Sequence, residues 1–190
     1  MGMTSRISTQ SRNTLIASAV SALICGIFLV DNLIFWVPGA VFGLSYAMAN
    51  FHRPFKIILY TILSSLIYIG AVQIFFRASG NDLDNSWLGG FLAGTFGAFT
   101  LSLMTKFMSK TALDFFDEVR STLVGAVTGI VFVQLIIFSY TQAFSDDVTI
   151  ARLLIPIAFA IWQIPVAWFL TISTQTGSDV PDGVSRNAPS

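Results

Sequence analysis

Long apolar segments separated by short polar breaks run through almost the whole chain, and this pattern limits the fold more than any other feature. About 20 consecutive apolar residues cross the hydrocarbon core of a membrane as an α-helix, and only helices or closed barrels satisfy their backbone groups there. The segments are too long for barrel strands. The composition agrees, since 54% of the residues are hydrophobic and 11% are charged. The sequence therefore predicts an all-α, polytopic membrane helix bundle.

The polar breaks divide the apolar part of the chain into six predicted transmembrane helices. Their predicted bounds are residues 14–30, 33–50, 55–76, 87–105, 122–140 and 151–173. The breaks carry residues that end helices, such as Asp31-Asn32 and the segment from Asn50 to Pro54. Residues 1–13 form the predicted N-terminal segment. Residues 174–190 are polar and lack apolar periodicity, which predicts a disordered tail.

The basic residues orient these spans, because segments on the cytoplasmic side are enriched in Lys and Arg. With the N-terminus inside, eight basic residues lie inside and two, Arg77 and Arg152, lie outside. If Asp31 instead lay within one long first span, the count would be four inside and six outside. We therefore expect both termini in the cytoplasm, with a bacterial inner (plasma) membrane as the default location.

Asp31 stands alone in an apolar stretch, where a buried carboxylate costs about 3 kcal/mol or more. Two interpretations are open. Asp31 and Asn32 form a short turn between the first two spans, with Asp31 capping the second helix; or Asp31 contacts a substrate or an ion. Pro38 stands about one turn into the second predicted span, so a kink is expected there.

Small residues recur at four-residue spacing, which lets the backbone of another helix approach closely. They form three Gly-x-x-x-Gly pairs and one stripe in the first span: Gly39 and Gly43, Gly90 and Gly94, Gly125 and Gly129, and Ser18, Ala22 and Gly26. The simpler interpretation is packing within the bundle. The alternative is a docking face for a membrane protein partner or for a second copy, with the first span as its best candidate.

Two similar segments raise the question of an internal repeat. Residues 39–43 read GAVFG and residues 125–129 read GAVTG, each in the second span of a three-helix half. The two spans run in opposite directions, as in transporters built from a 3+3 inverted repeat. The third and sixth spans do not align, so the repeat rests on these five residues.

Polar side chains inside the spans are the candidates for ligand contact. Three glutamines lie within spans, and Gln163 stands beside Trp162 and near the helix-breaking Pro165. Each amide needs a partner, which can be another helix or a polar ligand. The candidate ligand-binding residues are Gln73, Gln134, Gln163, Trp162 and Asp31.

Residues for catalysis or metal binding are sparse. Asp114, Asp117 and Glu118 lie at helical spacing in an inner loop, where a solvated face is the simpler interpretation and a metal site for lipid chemistry is the remote one. With one histidine and one cysteine, we expect no catalytic residues, no metal and no cofactor, and hence no enzyme. The formal net charge of zero points to no nucleic-acid partner.

The sequence thus predicts an integral membrane protein whose partner is the lipid bilayer. We expect a small-solute transport component or a membrane-embedded substrate-binding subunit, because glutamines and prolines in one span exceed what a passive scaffold requires. A non-transporting assembly subunit of a membrane complex is the alternative, and a lipid-modifying enzyme is the remote one.

Overall fold

The computed structural model describes residues 9–31, 36–80, 85–111, 115–144 and 148–176. These residues form six α-helices: α1 (Thr9–Asp31), α2 (Val37–Asn50), α3 (Pro54–Ser79), α4 (Ser86–Ser109), α5 (Phe115–Phe144) and α6 (Val148–Thr176). The predicted all-α class is confirmed. α1 begins within the predicted N-terminal segment and α6 ends within the predicted tail. Residues 1–8 and 177–190 lie outside the described part of the chain.

The six helices form a closed ring, in which each helix packs against its neighbours in the chain and α1 packs against α6. Neighbours are antiparallel. Gln10 at the start of α1 donates to Asn50 at the end of α2, and Cys25 near the end of α1 donates to the carbonyl of Pro38. The α2–α3 and α4–α5 connections therefore lie at one end of the ring, and the α3–α4 connection lies at the other.

Four of the helices are long and apolar enough to cross a membrane: α3, α4, α5 through Ser139, and α6 from Leu153 to Ile172. Within the described residues, α1 and α2 are not among them. α2 has 14 residues, which rise about 21 Å, less than the hydrocarbon core of about 30 Å. The structure thus shows four membrane-compatible helices, and the count of six spans stays a prediction.

The outer surface of the ring is apolar, and polar side chains are buried among apolar ones inside it. On α3, Ile58, Ile62 and Leu66 follow one exposed face. Ser102, Thr105 and Gln163, among other polar residues, are buried. Lipid chains satisfy an apolar surface, whereas polar groups in a membrane need partners inside the protein. This distribution fits a bundle surrounded by lipid.

Glycines bring α4 and α5 into backbone contact. A Cβ atom at Gly90 would lie 2.8 Å from the carbonyl oxygen of Gly129, and one at Gly94 would overlap the carbonyl oxygen of Gly125. Only glycine allows such an approach. Both pairs on these helices therefore pack against each other within the chain.

The remaining small residues lie at two other helix contacts. Gly39 and Gly43 of α2 face Ser64 and its neighbours on α3, and a Cβ atom at Gly26 of α1 would overlap Pro156 of α6. The pair in α2 thus contacts the following helix, whereas the pair in α5 contacts the preceding one. An inverted repeat would give them equivalent neighbours, so the two similar segments do not support the repeat.

Two local expectations in the first hairpin are wrong. Pro38 lies in the first turn of α2, where its missing N–H leaves no helical bond unmade and causes no kink. Trp36 occupies the N-cap position of α2. Asp31 is the last residue of α1, so it does not occupy this N-cap position, and its side chain lies outside the described part of the chain. Asn32 lies outside the described residues.

Replacing Gly94 by Ala should lower the free energy of unfolding by about 1–3 kcal/mol, the usual cost of overpacking. The added methyl group would overlap the carbonyl oxygen of Gly125. Gly70→Ala is the matched control, because its methyl group would meet only the ring of Phe96. Thermal unfolding of both variants in one detergent measures the difference, and equal Tm values would contradict the backbone contact.

Candidate ligand-binding cavity

A cavity of about 460 Å³ lies inside the ring, bordered by α2, α3, α4, α5 and α6. Its described lining is almost entirely apolar, with Ser64, Tyr68 and Thr141 as the polar side chains. Seven lining side chains are aromatic: Phe42, Tyr68, Phe75, Phe76, Phe132, Phe159 and Trp162. Small-molecule sites have volumes of about 300–1,000 Å³ and mostly apolar walls. The cavity has the size and lining of such a site.

Two helices, α3 and α5, contribute most of the cavity lining. Their two sets are offset along the helix axes, because Gly89 contacts Phe75 near the end of the α3 set and Gly90 contacts Gly129 at the start of the α5 set. On α3 the lining residues recur every three or four positions from Ser64 to Phe76, and on α5 they do so from Gly129 to Thr141. This spacing keeps each set on one face of its helix. Each set spans 12 residue steps, which correspond to about 18 Å at 1.5 Å per residue. The cavity is therefore elongated along the helix axes.

The α4 wall consists largely of backbone. Gly90, Ala93, Gly94 and Gly97 line the cavity, and none of them carries a side chain larger than a methyl group. Gly90 and Gly94 are also the residues that contact α5. The glycines that hold the two helices together thus also leave room inside the ring.

The cavity is closed at one end, which we call the base. Phe42, Leu101 and Trp162 lie there, with the rings of Phe42 and Trp162 6.0 Å apart. Beyond them the ring is filled by Tyr46 and Tyr60, whose rings stack at 5.2 Å. Both tyrosines are fully buried, so this end is sealed.

The opposite end, which we call the mouth, is open. Of the described lining residues, Phe76 and Thr141 are exposed. Phe76 lies level with the contact between Gly90 and Gly129, whereas Thr141 lies 12 residues farther out along α5. Phe76 is 52% exposed. The cavity therefore opens at the end of the ring that carries the α3–α4 connection.

Of the five predicted ligand-binding residues, Trp162 lines the cavity. Gln73 is exposed on α3. Gln134 donates from its amide to the Ser86 hydroxyl of α4 at 2.9 Å, a bond between two helices. Asp31 ends α1, and its side chain lies outside the described part of the chain. Of the four candidates whose side chains are described, the structure thus brings one to the cavity.

Gln163 is buried between α6 and α1, away from the cavity lining. Its amide donates to the Cys25 sulfur at 3.7 Å, and its side-chain carbonyl oxygen has no hydrogen-bond partner among the described residues. The first-span stripe lies nearby: Ser18 and Ala22 are buried, and Ala22 packs with Ile155 of α6. These polar and small residues fill the contact between α1 and α6.

A buried ion pair joins α4 and α5 at the sealed end. The amine of Lys106 lies 3.1 Å from a carboxylate oxygen of Glu118, and the two side chains are 1% and 10% exposed. The expectation of a solvated face is therefore wrong for Glu118. Asp117 is half-buried, and Asp114 lies outside the described residues.

The part of the chain that the structure describes holds no group of three or more His, Cys, Asp or Glu residues that could bind a metal ion. Comparison with models of protein families, with curated proteins and with solved structures finds no match for the chain. What the site can do must therefore be argued from its own geometry.

Sequence reasoning missed most of the cavity lining, including Phe75, Phe132 and Phe159. These residues look like ordinary lipid-facing or packed residues of apolar helices. A periodic signal exists, because the lining residues of α3 and α5 recur at helical spacing. That spacing identifies a face of each helix, but it does not reveal that the faces surround a space.

Replacing Gln163 by Leu should leave the unfolding free energy equal or higher. The change removes a buried oxygen without a partner, whose desolvation costs about 1–3 kcal/mol, and loses only a weak N–H to sulfur bond. Thermal unfolding in detergent measures the effect. Marked destabilisation would instead show that the amide has a structural role, and loss of uptake of an apolar probe would show ligand contact.

The ion pair predicts strong coupling between its two residues. Lys106→Ala and Glu118→Ala should each cost about 3–5 kcal/mol, because each leaves one buried charge unpaired. The double variant Lys106→Met with Glu118→Leu should cost much less than the two single losses together. Unfolding free energies at pH 7 test this, and additive losses would contradict a functioning buried pair.

Proposed function

We propose that this integral membrane protein binds a small apolar solute within the bilayer, as a transport component or as the membrane-embedded binding subunit of a larger transporter. The observation that carries the proposal is the elongated, aromatic-lined cavity inside the ring of helices. A helical scaffold that only held a complex together would be more stable if side chains filled this space.

The cost of the cavity supports a binding role. Space that side chains leave unfilled costs the lining atoms van der Waals contacts on that side. A solute that matches the shape of the cavity recovers van der Waals contacts with its walls. In a membrane this packing, more than escape from water, drives association.

The chemistry of the lining favours binding over catalysis. Within the described lining there is no carboxylate, imidazole, thiol or amine, and tyrosine is its one ionisable residue. Burying a polar group without a partner costs several kcal/mol, so a polar solute would be excluded. The glutamines that suggested a polar substrate lie elsewhere, which moves the proposed solute class from polar to apolar.

We also propose that the sealed end faces the cytoplasm of a bacterial cell and that the protein resides in the inner membrane. Lys56, Lys106, Lys110 and Arg120 belong to the sealed end, whereas Arg77 ends α3 at the mouth. The excess of basic residues at one end supports this orientation under the positive-inside rule. The mouth would then open toward the opposite leaflet.

A fluorescent apolar probe tests the binding role. Trp36, Trp87 and Trp168 are replaced by Phe, so that Trp162 is the single tryptophan beside the cavity. In lipid nanodiscs, N-phenyl-1-naphthylamine should then accept energy from Trp162 in a saturable way. Ala71→Phe and Ala93→Leu, which both fill the cavity, should raise the half-saturating concentration about tenfold or more.

Leu66→Phe is the matched control, because it adds the same ring as Ala71→Phe to a lipid-facing position of α3 that is 58% exposed. It should leave the saturable transfer unchanged. Energy transfer could instead rise linearly and equally in the single-tryptophan protein and in its three variants. That result would reflect partition of the probe into lipid alone and would overturn the proposed binding role.

A further inference from the structure

We infer that the occupant of the cavity is an amphiphile with a hydrocarbon chain of about 12–15 carbons, bound tail first with its polar head at the mouth. The inference rests on the proposed binding role and adds the class of ligand and its direction. The length of the cavity, the polarity of its two ends and the depth of Trp162 each contribute one step.

The length of the cavity sets the length of the chain. Successive bonds of an extended chain advance about 1.2 Å each. From Ser64 at the base to Phe76 at the mouth the cavity is about 18 Å long, which accommodates about 15 carbons. A compact ring system of the same volume would leave one end of the cavity without contacts, which disfavours it as the occupant.

The two ends of the cavity differ in what they can hold. The base offers Phe42, Leu101 and Trp162, so a polar head placed there would lose its hydrogen bonds with water. At the mouth, Phe76 and the next residue along the chain, Arg77, are both exposed. A polar or charged head keeps its hydration there, which fixes the tail-first direction.

The position of Trp162 shows how far the ligand's tail reaches into the cavity. Trp162 packs against Gly97, which lies seven residues beyond Gly90 along α4, or about 10 Å further from the mouth. The tail of a 12-carbon chain, about 13 Å long, reaches this level when its head stays at the mouth. Carbon 2 of the same chain remains near Phe76.

The test uses two brominated fatty acids, because bromine quenches tryptophan fluorescence only at short range. In nanodiscs that contain the protein with Trp162 as its single tryptophan, 12-bromododecanoic acid should quench saturably. Its isomer 2-bromododecanoic acid should compete for the site with similar affinity but quench weakly. Equal quenching by both isomers, or stronger quenching by the 2-bromo isomer, would overturn the tail-first inference.

Variants separate specific binding from partition into lipid. Ala71 lies five residues from Phe76, about 7 Å below the mouth and above Trp162. Ala71→Phe should therefore raise the half-quenching mole fraction of 12-bromododecanoic acid about tenfold or more. Ala93→Leu blocks the cavity from α4 and should act in the same way. Leu66→Phe should leave quenching unchanged, and equal effects of all three changes would contradict binding in the cavity.

A lysophospholipid that carries the same 12-bromo chain distinguishes the source of the ligand. Tighter binding of the free acid identifies fatty acids, and tighter binding of the lysophospholipid identifies membrane lipids. Either result supports a hydrocarbon chain as the occupant. Saturable transfer to N-phenyl-1-naphthylamine without quenching by either chain would overturn this inference and leave the proposed function standing. Absence of both the saturable energy transfer and the quenching would overturn this inference and the proposed function.

Discussion

Between α4 and α5 the two backbones meet with no side chain between them, at Gly90 and Gly94 on one helix and Gly125 and Gly129 on the other. This contact fixes the register of the two helices. Continued toward the sealed end, the same register brings Lys106 of α4 to Glu118 of α5. Continued toward the mouth, it leaves Phe132 and the residues that follow it on α5 facing the interior. The ion pair and one cavity wall thus both depend on the glycine contact.

The interior of the ring is divided into two halves with different chemistry. Toward the sealed end, the space is filled by stacked tyrosines, and the Tyr60 hydroxyl pairs with the Thr105 hydroxyl at 2.8 Å. Toward the mouth, glycine backbone and aromatic side chains leave space. The bond between Tyr60 and Thr105 joins α3 to α4 at the sealed end, and breaking it inside a membrane would leave both hydroxyls without partners. The base is therefore filled, and the site is open at the mouth.

Much of the helical framework could be predicted, whereas most of the candidate site could not. Long apolar segments indicate helices directly, and the breaks at Asn50–Pro54 and after Ser79 lie where the sequence places them. The interpretation of Glu118 failed because its partner, Lys106, belongs to another helix, and sequence spacing does not show which faces meet. The glutamines failed as a guide to the cavity for a related reason. An amide in an apolar helix signals a need for a partner, and Ser86 and Cys25 supply that partner within the bundle.

By itself, the sequence determined that this chain forms apolar helices, because hydropathy and helix-breaking residues act locally along the chain. It also determined where helices can approach closely, because glycine spacing is a property of one helix face. Only the tertiary structure decided that the six helices close into a ring and that Gly94 meets Gly125. It alone decided that the aromatic faces of α3 and α5 enclose a cavity. A cavity is a volume that several helices leave unfilled together, so no single segment of sequence contains it.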